Sequence, residues 1–232
     1  MQAGLWSGVE AVVFDLDGTL LNTEAVITHA ASQALQAWGH AALPPNYRMP
    51  NMHGTAAELM ADVLQDRGHP LPDGGMNAAG DMFERCYAQY PAHEIPLYEG
   101  AAEFLQSLRS AGLRLGVCTN KVHALALKGL EAAGILPLFD VVTGRDSCGV
   151  AKPAAAPLLH TLAQMNALPA AAIFFGDTHV DAACAQAAGV RFAWFSTGFG
   201  DVRVKDYPQV VQFASYAQMP AALLESAAVQ AI

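Results

Sequence analysis

The chain is short of charge. Asp, Glu, Lys and Arg make up only 14% of its 232 residues, with 12 basic residues against 21 acids. The net charge of −9 argues against a surface built for nucleic acid or an anionic membrane, since both need clustered lysine and arginine. Cysteine is scarce as well: Cys86, Cys118, Cys148 and Cys184 lie far apart, with no Cys-x-x-Cys pair. That pattern excludes a disulfide framework or a thiolate zinc site, and points to reduced, buried thiols in a cytoplasmic protein. No apolar run reaches the ~18 residues of a membrane span. The opening Met1-Gln2-Ala3-Gly4-Leu5-Trp6 does not read as a secretory signal. Low charge is not disorder here, because 53% of the residues are hydrophobic and a chain of this length buries a large core.

What the chain does have is a strand that ends in acids. Val12-Val13-Phe14-Asp15-Leu16-Asp17-Gly18-Thr19 is a β-branched and aromatic run followed by two carboxylates one residue apart. In an open parallel sheet the carboxyl ends of the strands face the ligand crevice. Two acids this close repel unless they share a cation, and oxygen ligands suit a hard divalent ion. Gly18 lets the backbone turn sharply.

Beyond Asn22 the pattern changes to helices. Helical spacing marks 23–38, with Thr23 as N-cap and Gly39 as stop, and 56–67. A third stripe comprises Met76, Ala79, Phe83, Cys86, Tyr87 and Tyr90. From residue 99, helices and strands alternate: helices at 99–111, 122–133, 154–166 and 180–188, and strands at 113–118, 139–142, 171–175 and 191–195. A strand at 209–213 and a helix near 218–227 complete the pattern. Alternation predicts a doubly wound parallel sheet, an α/β core formed by 1–21 and 94–232. The helical block 22–93 is an insertion suited to act as a lid. It carries three arginines, no lysine and seven acids, so it offers little to a polyanion, although Arg48 and His53 are candidates to face a site.

Three further stretches carry chemistry. The second core strand ends in Thr119-Asn120-Lys121, where a hydroxyl and helix-start N–H groups can grip a phosphate; the same pair is also an ordinary helix start. Lys152-Pro153 sits at a loop-to-helix junction with Pro153 suited to the first helical turn, and a fixed ammonium there screens carboxylates. An apolar strand then ends in Gly176-Asp177, with Asp181 four residues on in the first turn of a helix, where an acid also suits the helix dipole.

These four pieces, in this order, resemble the motifs of the haloacid dehalogenase-like superfamily, in the version with a helical cap, and the Val117–Lys121 run looks phosphoglycolate phosphatase-like. The resemblance implies a Mg²⁺-dependent phosphatase acting on a small phosphorylated metabolite through an aspartyl-phosphate. Asp15 is the implied nucleophile and Asp17 the acid and base. Thr119, Asn120 and Lys152 are implied to hold the phosphoryl group. The metal is implied to be bound by Asp15, Asp17 (through its backbone carbonyl) and Asp177, with Asp181 orienting bound water or Lys152. The acids at 17, 177 and 181 argue against dehalogenation. A phosphosugar mutase of the same family, or a non-catalytic protein binding a phosphometabolite, remains open. The expected partner is a small phosphate ester, with no nucleic acid or membrane, and the chain is expected as a monomer or homodimer.

Overall fold

The computed structural model describes residues 5–200 and 202–219. The chain divides into two compact units: one contains the described residues up to Asn22 and from Pro96 onward, the other Thr23–Ile95.

The first unit is built on a six-stranded parallel sheet: β1 (Ala11–Phe14), β2 (Arg114–Cys118), β3 (Val141–Thr143), β4 (Ala172–Gly176), β5 (Arg191–Phe195) and β6 (Val211–Phe213). Its order is β3-β2-β1-β4-β5-β6, every neighbouring pair being parallel. The chain builds outward from β1 to β3, then crosses back to continue from β4. The strand order therefore reverses at β1, the place where open α/β sheets form a ligand crevice.

All four residues of β1 are buried, because both faces of the sheet are covered. Alternation sends Val12 and Phe14 to one side and Ala11 and Val13 to the other. On one side Phe14 and Phe175 pack with ring centroids 5.0 Å apart, and Phe104 and Phe213 join them. On the other, Ala11, Val13 and Phe174 pack with Leu158, Leu162, Met165 and Phe192. The connecting helices are α4 (Ala101–Ser110), α5 (His123–Ala132), α6 (Ala156–Gln164) and α7 (His179–Ala188). The helix expected from 154 begins at Ala156, with Pro157 rather than Pro153 in its first turn. The expected helix 218–227 falls mostly outside the described residues, and Tyr216–Gln218 forms only a short 3-10 turn.

The second unit contains α1 (Glu24–Ala37), α2 (Ala56–Asp66) and α3 (Gly75–Gln89). Their buried stripes are Val26, Ile27, Ala30, Ala31, Ala34 and Leu35; Leu59, Met60, Val63 and Leu64; and Ala79, Gly80, Phe83 and Tyr87. Gly80 lets α3 approach α2, since a Cβ there would lie 3.0 Å from the Ala57 backbone. Thr23 holds the expected N-cap position of α1, but it is buried and its side chain makes no capping hydrogen bond. Of the expected third stripe, Ala79, Phe83 and Tyr87 are buried, Cys86 and Tyr90 are half-buried, and Met76, in the first turn of α3, is 41% exposed.

All four cysteines are free thiols; Cys118 and Cys184 are buried, Cys86 and Cys148 half-buried. No helix among the described residues is long and apolar enough to cross a membrane.

Candidate active site

Register brings the three strand ends level. Phe14 lies opposite Val117 of β2 and Phe175 of β4, so Asp15, Thr119 and Asp177 follow three adjacent strands within a residue of one another. The Asp15 N–H donates to the Phe175 carbonyl at 2.8 Å, which continues the ladder to Asp15.

Lys152 joins the acids. Its Nζ lies 2.8 Å from Asp15 Oδ1 and 2.6 Å from Asp181 Oδ1. The ammonium also sits 5.4 Å from the Phe174 ring centroid. Asn120 fixes this lysine: its Oδ1 accepts from the Lys152 N–H at 2.8 Å and its Nδ2 donates to the Lys152 carbonyl at 3.0 Å. The Asn120 side chain, expected on the substrate, thus has both polar atoms on the Lys152 backbone.

Asp177 is fully buried. Its Oδ1 accepts from Thr19 Oγ1 at 2.6 Å and its Oδ2 from the Phe199 N–H at 2.6 Å. Trp194 Nε1 donates to its carbonyl at 3.1 Å. Glycines make this grip possible. A Cβ at Gly198 would collide with the Gly18 carbonyl and the Asp177 carboxylate, and one at Gly200 with the Asp177 carbonyl. Behind Thr19, the buried Tyr216 hydroxyl donates to the Thr19 carbonyl at 3.0 Å. Asp181 uses Oδ2 to accept from the Thr178 N–H and hydroxyl at 3.0 and 2.6 Å.

Asp15, Asp177 and Asp181 each offer an oxygen within 4.8 Å of the others, and all three are buried. Burial drives Asp15 up to about 7, against the pull of Lys152 and with the push of Asp181. Burial, then the charges of Asp181 and Asp15, raises Asp177 well above the usual carboxylate range. Burial disfavours the Lys152 ammonium, but Asp15 and Asp181 outweigh it and hold its pKa well above normal. Three buried acids against one lysine form a site short of positive charge, and their oxygen donors fit a hard divalent cation.

The Asp17 carboxylate stands outside this group. Both its oxygens face Lys121, with Nζ 2.9 Å from Oδ1 and 2.7 Å from Oδ2. Thr119 is buried, and its Oγ1 accepts from the Lys121 N–H at 3.2 Å. Its hydroxyl hydrogen can therefore be directed at another acceptor. Thr19 and Lys121 lie inside the motif stretches, but no role is expected of them from the sequence; Tyr216 and the Gly198–Gly200 loop carry no motif signal. Arg48 and His53 belong to the helical unit, where the His53 N–H donates to Asn51 Oδ1 at 2.7 Å.

The chain as a whole is similar in sequence and in fold to known proteins. A phosphoglycolate phosphatase of Cereibacter sphaeroides is 36% identical over 214 residues, covering 90% of this chain and 95% of its own. One of Nitrosospira multiformis is 33% identical, covering 84% and 86%. The crystal structure of a predicted phosphoglycolate phosphatase from Haemophilus somnus matches with a TM-score of 0.82 at 23% identity, over 92% of this chain and 97% of that one. CbbY from Rhodobacter sphaeroides, crystallised with phosphate, matches with a TM-score of 0.69 at 24% identity, over 93% and 99%. The family model for haloacid dehalogenase-like hydrolases spans residues 12–195, from β1 to the end of β5, and the chain belongs to that family.

Proposed function

We propose that this protein is a Mg²⁺-dependent phosphatase that hydrolyses a small phosphate monoester, with 2-phosphoglycolate as the first candidate. The observation that carries the reading is Lys152 held between Asp15 and Asp181 at the crevice end of the sheet. The identity to phosphoglycolate phosphatases over nine-tenths of the chain supports the substrate.

In this reading an Asp15 oxygen attacks phosphorus and the bond to the leaving oxygen breaks, giving an aspartyl-phosphate. Asp17 gives its proton to the leaving oxygen. It then takes one from the water that attacks phosphorus and releases Asp15 and inorganic phosphate. Lys152 and the Thr119 hydroxyl donate to the phosphoryl oxygens where charge is greatest. Asn120 acts through Lys152, by fixing its backbone. Asp181 holds the ammonium, and Thr178 holds Asp181. Asp15, Asp177 and the Asp17 carbonyl would hold the metal, which supplies charge neutralisation and polarises a phosphoryl oxygen when bound. The helical unit, inserted directly after β1, is assigned the role of cap and of substrate selection. Four free thiols are consistent with a reducing, cytoplasmic location.

The test is phosphate release from 2-phosphoglycolate by the full chain with Mg²⁺, with chelator, and with Asp15→Asn. Turnover that needs both the metal and Asp15 is the expected result. An Asp15→Asn protein that retains full turnover would remove the proposed nucleophile.

A further inference from the structure

We infer that Lys121 is a specificity-determining residue that recognises a carboxylate on the carbon next to the ester oxygen, so that the preferred substrates are phosphate monoesters of 2-hydroxy acids. This rests on the phosphatase reading above and adds to it the group that selects the leaving alcohol.

The two lysines at the site have different tasks. Lys152 is buried and committed to Asp15 and Asp181, on the side where the phosphoryl group is held. Lys121 stands apart, its ammonium on Asp17. Asp17 is the residue that must reach the leaving oxygen, so the carbon attached to that oxygen emerges beside Asp17. Any group on that carbon meets the Lys121 ammonium.

The side chain of Lys121 is aimed by its backbone. Its N–H donates to Thr119 Oγ1 at 3.2 Å, and its carbonyl accepts from the Arg145 N–H at 3.0 Å. The side chain is only 9% exposed. A lysine so enclosed carries a charge that water solvates poorly, and an anionic substituent is the group best able to share it with Asp17. An uncharged alcohol of the same size offers nothing comparable. A carboxylate two bonds from the leaving oxygen, as in 2-phosphoglycolate, has the reach. A distant second phosphate does not.

The experiment compares 2-phosphoglycolate with 2-hydroxyethyl phosphate, an ester of similar size whose alcohol is uncharged, using the full chain with Mg²⁺. Wild type is expected to prefer 2-phosphoglycolate by about tenfold or more in kcat/KM. Lys121→Met is expected to lose most of that preference, chiefly through KM for 2-phosphoglycolate, and Lys121→Arg to keep it. Thermal melts check that both variants are folded. Equal losses on the two esters in Lys121→Met would overturn the inference, and would make Lys121 a residue that only positions Asp17. If wild type turns over 4-nitrophenyl phosphate but shows no preference between the two esters, the inference falls and the phosphatase reading stands. If wild type turns over none of the three, both fall.

Discussion

Two helices, one in each unit, begin with the same device. At the start of α2, Thr55 Oγ1 accepts from the Glu58 N–H at 3.3 Å while Glu58 Oε2 accepts from the Thr55 N–H at 2.8 Å. At the start of α7, Thr178 Oγ1 accepts from the Asp181 N–H at 3.4 Å while Asp181 Oδ2 accepts from the Thr178 N–H at 3.0 Å. Both are capping boxes, a threonine answered three residues later by an acid. The first is exposed. The second is buried, and the free oxygen of its acid holds Lys152 at 2.6 Å. The same local chemistry therefore only starts a helix in one unit and also fixes a buried ammonium in the other. Burial and a third partner make the difference.

The comparison breaks most severely where the third partner is removed. Lys152→Met leaves Asp15 and Asp181 buried with no lysine to answer them. The expected cost is about 3–5 kcal/mol of stability, as for other broken buried pairs. Turnover should fall on the order of 10²–10³-fold or more, since a donor to the transferring phosphoryl group is lost. Chemical denaturation and steady-state kinetics on the purified variant measure the two separately.

The second expected effect follows from Asp15. Its folded-state pKa of about 7 lies above the ordinary 3.8. Between those values the folded protein binds the proton more tightly than the unfolded chain. Stability from this group is complete below the lower value and is lost as pH rises through the upper one. The slope is at most about 1.4 kcal/mol per pH unit. Metal-free protein should therefore melt at lower temperature at pH 8 than a pH 5 melt would suggest. Asp15→Asn should flatten that dependence, and divalent metal should restore stability at high pH. A melt whose pH dependence is unchanged in Asp15→Asn would place the charge strain elsewhere.

How much of this was legible in the sequence follows the range of each interaction. The strands were readable because each is an apolar run closed by a breaker, and Asp15, Thr119, Lys152 and Asp177 were readable because each follows such a run or a loop. Their meeting depends on the sheet order. β1 lies between β2 and β4, although the helical unit separates it from β2 in sequence. Partners that lie far apart along the chain left no local mark. Thr19 meets Asp177 across 158 residues, Lys121 meets Asp17 across 104, and Tyr216 meets Thr19 across 197. Gly198 and Gly200 look like ordinary turn residues until the Asp177 carboxylate and carbonyl are seen against them. Asn120 was readable as polar and well placed, but its polar atoms are spent on the Lys152 backbone. The helical unit shows the opposite balance. Its stripes were legible apart from Met76, which is exposed, and Cys86 and Tyr90, which are half-buried, yet it buries little polar chemistry, with Thr23 its one buried polar residue among those described.

Within α7 the comparison sharpens. Thr178→Ala removes a 2.6 Å hydroxyl donor from a fully buried carboxylate. The expected loss is about 1–3 kcal/mol. Because Asp181 then holds Lys152 less firmly, kcat should also fall, by about 10–100-fold, as when outer partners of a metal site are lost. Thr178→Ser keeps the hydroxyl and should recover most of both. Recovery of stability without recovery of kcat would detach the cap from the chemistry.

The smallest effect belongs to the exposed box. Thr55→Ala deletes the same hydroxyl from the same motif, but water can replace it at Glu58. The expected cost is about 0.5–2 kcal/mol, the ordinary value of an N-cap, felt as a lower melting temperature. The two threonines thus predict a crossed pattern: both variants lose stability, and only the one at 178 loses turnover per folded molecule. Glu58 has no lysine beyond its cap among the described ion pairs, so no charge needed for phosphoryl transfer depends on it. A Thr55→Ala protein with kcat reduced as far as Thr178→Ala would mean that the start of α2 takes part in turnover. The contrast between a cap that only starts a helix and a cap whose acid also holds Lys152 would then be lost.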